Sequence, residues 1–171
     1  MKKKVFQIIV ENSSGVLSRI SGLFSRRGYN IESITAGVTS NPRFTRITIV
    51  TSGDEDILEQ IEKQVAKLID VISIVELEPE YSVYRELLMI KLRVNPEQRA
   101  SVVALTETDV FRANIIDVGP DSMIIELTGT QNKVDDFIAL VDCYEILEIA
   151  RTGIAGLTRG TDRIVEVDEN L

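Results

Sequence analysis

The residues best suited to small-molecule recognition in this 171-residue chain lie in one short run, Asn12-Ser13-Ser14-Gly15-Val16-Leu17. The run joins an apolar, β-rich segment to an apolar stripe of helical spacing, so it forms a strand-to-helix junction. Free backbone N–H groups and the positive end of the helix dipole make such a junction an anion site. Gly15 permits close backbone approach, Asn12 can both donate and accept, and Val16 and Leu17 set aliphatic surface beside that polar corner. Carboxylate-sized polarity next to an aliphatic wall is the recognition problem posed by a small apolar amino acid. The same residues also fit an ordinary N-cap followed by a turn glycine. A second segment, Gly28-Tyr29-Asn30-Ile31, brings Asn30 to the start of a predicted edge strand, although an Asn there also serves simply to tolerate a turn conformation.

Other chemistries are poorly supplied. The chain has no histidine, which removes Ser-His-Asp and Cys-His nucleophiles, imidazole acid–base work and the HExxH zinc site. The single cysteine, Cys143, can neither close an internal disulfide nor form a CxxC metal knuckle, and reads as a structural or tolerated thiol. Asp135 and Asp136 are adjacent and point to different parts of a helix surface, which suits solvation rather than paired acid–base work. Thr128-Gly129-Thr130-Gln131-Asn132-Lys133 opens a helix in the manner of a phosphate loop but lacks the GKS/T ending, so a cap accounts for it. Acidic residues outnumber basic ones 27 to 19, and aromatics are 5% with no Trp. That balance argues against nucleic acid and anionic membranes as partners. The run from Arg151 through Thr158-Arg159-Gly160 is Gly-rich and cationic against that background, suited either to docking a partner or to a solvated tail. The apolar run after Lys2-Lys3-Lys4 is interrupted by Gln7 and ends at Glu11, too short for a secretory signal, and the longest unbroken apolar run, 137–141, falls far short of a membrane span. A cytoplasmic chain with no metal or cofactor of its own is the expectation.

The elements that must position these residues follow from periodicity. Residues 5–10 read as a buried strand, broken by Glu11-Asn12-Ser13-Ser14-Gly15. Val16, Leu17, Ile20, Leu23 and Phe24 trace one helix face, with Arg26 and Arg27 at its negative end and Gly28 in the left-handed position beyond it. Residues 31–38 and 44–51 form a hairpin across a loop carrying Asn41-Pro42. Ile57, Leu58, Ile61, Val65 and Leu68 mark a second helical stripe, and 71–77 a closing strand. After the charged break Glu78-Pro79-Glu80-Tyr81-Ser82 the same order recurs. It runs through a strand at 86–94, a helix from Pro96 to about Glu107, a hairpin of 112–118 and 122–128, a stripe at Val134, Phe137, Ile138 and Val141, and a strand at 145–150.

A strand-helix-strand-strand-helix-strand unit of this size is the ferredoxin-like split βαβ. The fold class is therefore α+β: two consecutive βαββαβ domains, residues 1–78 and 84–171 with 79–83 as linker, each an antiparallel sheet of order 4-1-3-2 with both helices on one face. Strand two lies at the sheet edge. In the first domain that edge is β-branched, carries Glu32 as its only charge and has no proline. So poorly defended an edge points to pairing between two copies of the chain, strand two to strand two.

The segments from Glu11 to Ile20 and from Gly22 to Ser33 resemble the N-terminal ACT domain of the small, regulatory subunits of acetolactate synthase. Phe111 to Val118 and the Arg151–Gly160 run resemble that family's C-terminal domain. The resemblance implies a chain that does no chemistry itself but binds a separate catalytic (large) subunit carrying thiamine diphosphate, Mg²⁺ and FAD. It implies that the chain raises that enzyme's activity and confers feedback inhibition by valine in branched-chain amino acid biosynthesis. The family's effector loop falls on Asn12, Gly15, Val16 and Leu17, and its second segment on Asn30 and Ile31. Gly15 and the amides after it are then assigned to the effector carboxylate, Asn12 and Asn30 to polar anchoring across a dimer seam, and Ile31 to the aliphatic wall. The second half also resembles the ferredoxin-like domain of nickel-responsive regulators, but those use histidines for metal and none is present here. The alternative is a stand-alone ACT-type amino-acid binder acting on a different partner.

Overall fold

The computed structural model describes residues 2–161. The described residues divide into two compact units, 2–83 together with 154–161, and Tyr84–Gly153. In the first, β1 (Lys2–Glu11), α1 (Val16–Arg27), β2 (Asn30–Val38), β3 (Phe44–Gly53), α2 (Glu55–Val65) and β4 (Val71–Glu76) form a four-stranded sheet in the order β2-β3-β1-β4. All three pairings are antiparallel. β1 is central and buried on both faces from Val5 to Val10, which is why it reads as a continuous run rather than an alternation.

Phe6, Ile8 and Val10 of β1 meet Ile47 and Ile49 of β3 under Val16, Ile20, Leu23 and Phe24 of α1 and Leu58, Ile61 and Val65 of α2. Gly28 ends α1 at φ 68°, its N–H donating to Ser25 O, while the Tyr29 N–H reaches Phe24 O at 2.9 Å. This Schellman-type stop sets the Tyr29 ring edge-on to Phe24, with centroids 5.9 Å apart. The second stripe stops being helical earlier than its apolar spacing predicts. Leu68 sits beyond Val65 in a turn closed by its N–H to Val65 O, and still packs against the core from there.

The second unit repeats the plan with β5 (Ser82–Arg93), α3 (Arg99–Thr106), β6 (Asn114–Val118), β7 (Ser122–Gly129), α4 (Gln131–Val141) and β8 (Glu145–Arg151), in the order β6-β7-β5-β8. Leu88, Ile90 and Leu92 meet Val102, Val134, Phe137 and Val141 in its core, where Phe111 packs edge-on to Phe137 at 5.2 Å. Helix α3 begins three residues after the expected Pro96. Asn95 and Gln98 exchange side-chain-to-backbone bonds, Gln98 N to Asn95 Oδ1 at 2.9 Å and Asn95 N to Gln98 Oε1 at 3.1 Å, and close a turn ahead of the helix. β6 likewise starts two residues late, because Arg112 adopts φ 49° in a turn whose end is tied by Ala113 N to Thr106 O.

The Gly-rich run after β8 is structured. Its short strand β9 (Ala155–Thr158) pairs with β5, and Arg159 N donates to Tyr81 O at 2.7 Å. The described residues from Ile154 group with the first unit, although in sequence they follow the second. Within the described residues, no helix is long and apolar enough to cross a membrane.

Candidate functional site

Helix α1 starts at Gly15, whose φ of 84° and position as N-cap bring the first helical bond, Arg19 N to Gly15 O, to 2.9 Å. No side chain caps this end, so the Asn-Ser-Ser run is not an ordinary N-cap. Asn12 is occupied elsewhere. Its Nδ2 donates to Pro42 O at 2.9 Å, its Oδ1 accepts from Thr45 Oγ1 at 3.2 Å, and its N–H donates to Arg43 O at 2.7 Å. The loop before α1 is thereby sewn to the β2–β3 connection, leaving the uncapped amides beyond Gly15 at the helix mouth. The Val16 side chain is 4% exposed and belongs to the core, so only its backbone faces the junction; Leu17 beside it is 47% exposed.

A clamp beneath the loop has no local signature in the sequence. Arg19 reaches Asp70 through two nitrogens, Nε to Oδ2 at 2.6 Å and Nη2 to Oδ1 at 2.8 Å, and the Asp70 carbonyl accepts from Glu11 N at 2.9 Å. The bonds from Arg19 hold the Asp70 carboxyl below the usual carboxylate range. The remaining nitrogen, Nη1, lies under Gly15, where an added Cβ would meet it at 3.1 Å. The two partners are fifty-one residues apart, so only the crossover through α2 brings them together.

Asn30 begins β2 opposite Ser52, is exposed, and its carbonyl accepts from Thr51 Oγ1 at 2.5 Å. Ile31 is half-buried against the core. Within one chain these two residues do not meet the loop. Glu11 stands opposite Phe44 at one end of β3 and Asn30 opposite Ser52 near the other, eight residues or roughly 27 Å apart. Among the described residues β2 pairs only with β3, so its other edge is open there, with Ile34 37% and Val38 60% exposed along it. Its one charge, Glu32, sits at a bulge and is paired with Lys3, which holds its carboxyl below the ordinary range.

Thr130 caps α4 through its Oγ1, which accepts from Lys133 N, as the capping explanation of that run requires. Cys143 is exposed, its thiol directed at Leu140 O. Arg151 ends β8 and is not part of a solvated tail. It is clamped by Glu86 through Nε at 2.7 Å and Nη2 at 2.9 Å, and by Asp135 through Nη1 at 2.8 Å, which raises its pKa. Among the described residues, no group of three or more His, Cys, Asp or Glu side chains is placed to hold a metal ion.

Two βαββαβ units, the first with an uncapped glycine-started helix and an open edge strand, define an ACT-type chain. The family described as the AHAS small subunit-like ACT domain matches residues 6–73, and that described as the small subunit of acetolactate synthase matches 85–160. The chain is 46% identical over 164 residues to the acetolactate synthase isozyme 3 small subunit of Escherichia coli, covering 95% of this chain and 99% of that one. It is 43% identical over 159 residues to the acetolactate synthase small subunit of Mycobacterium bovis, covering 93% and 94%. The crystal structure of the acetolactate synthase small subunit from Thermotoga maritima superposes with a TM-score of 0.86 at 39% identity, over 95% of this chain and all of that one. The chain belongs to the family of acetolactate synthase small, regulatory subunits.

Proposed function

We propose that two copies of this chain pair through β2 and that valine binds at the seam, where it feeds back on an acetolactate synthase catalytic subunit that the chain also binds and activates. The single observation that carries this reading is the separation of the two candidate segments to opposite ends of one sheet beside an open edge. An antiparallel seam centred on Ile34 sets Asn30 of one copy opposite Val38 of the other, next to the connection that holds the Asn12 loop. The amides at Gly15 and beyond then face the effector carboxylate, with Leu17 of one copy and Ile31 of the other beside its isopropyl group. Asn30 anchors the amine. Asn12 acts at one remove, by fixing the loop. Residues 1–78 are the effector-binding and dimerising domain in this scheme.

Regulation requires that valine bind one arrangement of the complex better than another, typically by ~1–3 kcal/mol of coupling, since equal affinity for both would change nothing. Thiamine diphosphate, Mg²⁺ and FAD belong to the catalytic subunit, which forms 2-acetolactate from pyruvate, and the setting is cytoplasmic. The test is a titration of purified catalytic subunit with this chain, with and without valine. Activity should rise to saturation and fall again with valine. A catalytic subunit indifferent to the chain would end the proposal.

A further inference from the structure

The face of the first sheet opposite α1 and α2 holds a polar cluster that no part of the effector scheme uses. Gln7 stands opposite Thr48 and Val75, and Ile9 opposite Arg46 and Ser73, so Gln7, Arg46 and Ser73 share that face. Arg46 and Ser73 flank Gln7 on the sheet diagonals, within reach of side chains of this length. Gln7 is 0% exposed and neither its Nε2 nor its Oε1 has a partner. Arg46 Nη1 and Ser73 Oγ are also shielded atoms without a partner, on side chains that are themselves half-buried. Arg46 has no carboxylate partner among the described residues, and burial alone acts on it, making its charge costlier to keep. Lys3, also on this face, is already paired with Glu32.

Shielded donors are normally matched, because leaving them unmatched costs more than an ordinary hydrogen bond returns. Here the unmatched set is a guanidinium, a carboxamide N–H and a hydroxyl. Water would satisfy the hydrogen bonds, whereas an anion would meet them and the half-buried guanidinium charge as well. The geometry points to a second, partly shielded anion site on this sheet, in which Arg46, Gln7 and Ser73 together hold one small monocarboxylate. One guanidinium neutralises one negative charge, and its planar fork matches a carboxylate. A dianion such as hydrogen phosphate would remain overcharged beside a single guanidinium.

The full chain is melted in increasing sodium acetate, with ionic strength held constant by sodium chloride, and in a parallel series with phosphate. The melting temperature should climb with acetate, by roughly 3–5 °C for each tenfold excess over its dissociation constant, and should not climb with phosphate. Arg46→Met should abolish the acetate response, while Gly15→Asp, altered at the effector loop, should retain it. Gln7→Glu places a carboxylate beside Arg46 permanently; it should melt above the parent chain in chloride alone and ignore acetate. Equal melting in acetate and chloride, an undiminished response in Arg46→Met, or Gln7→Glu melting below the parent would each overturn the site.

Discussion

Substitution at Gly15 separates backbone strain from charge at the effector loop. At φ 84° an L side chain costs about 1–2 kcal/mol, enough to shift the folding equilibrium roughly 5- to 30-fold. The new Cβ would also stand 3.1 Å from Arg19 Nη1, on a guanidinium whose other two nitrogens are fixed to Asp70. Gly15→Ala and Gly15→Asp share both costs. Only Asp sets a carboxylate beside Arg19, and solvent screening at this half-exposed side chain keeps that gain small. Urea denaturation should therefore put both variants below the parent chain by about 1–2 kcal/mol, with Asp no worse than Ala. Their effector responses should diverge. In complexes reconstituted with catalytic subunit, Gly15→Asp loses valine inhibition because its carboxylate occupies the effector's place, whereas Gly15→Ala keeps a weakened inhibition. Full inhibition of the Asp variant would refute the carboxylate assignment, and identical loss in both would trace the effect to strain.

Ile34→Lys places like charges face to face at the centre of the proposed seam, so analytical ultracentrifugation should show the dimer shifting to monomer; an unchanged mass would exclude a β2 seam. Arg151→Ala strands Glu86, which is 4% exposed, and should lower stability by about 3 kcal/mol in chemical denaturation, with Arg151→Lys recovering part of it. Because Arg19 depresses the Asp70 pKa, their pairing contributes stability above the free carboxylate value of about 4 and loses it as pH falls through the lower native value. Thermal melts of the parent and of Asp70→Asn should thus differ at pH 6 and converge towards pH 2; a gap independent of pH would show that the carboxylate charge does not matter there.

Much of the architecture was readable from short-range signals. The stripe from Val16 to Phe24 and the glycine at 28 define α1 to the residue, because helical spacing and a left-handed stop are properties of neighbouring residues. The doubled element order led to both sheet topologies, since crossover handedness leaves few alternatives. Misplaced boundaries occur where side chains reshape a turn, as Asn95 and Gln98 do before α3 and Arg112 does before β6. In the loop the sequence located the junction but not how its polar groups are spent. Asn12 looked like a free bifunctional contact and is instead bound to Pro42 and Thr45.

The amino-acid sequence by itself determined the two βαββαβ units, the strand-to-helix junction at Gly15, the poorly defended edge at β2 and the want of an imidazole anywhere in the chain. Each follows from residue type and from spacing within a few residues. Only the tertiary structure decided which charged and polar groups are already matched. Arg19 is clamped to Asp70, Arg151 is held by Glu86 and Asp135, and the buried Gln7 carboxamide and the shielded Nη1 of half-buried Arg46 have no partner. The physical reason is that hydrogen-bond satisfaction depends on approach across strands and crossovers, between residues far beyond the reach of local spacing. Periodicity has no means of encoding that approach, and it leaves the same cation equally able to seal a fold or to await a ligand.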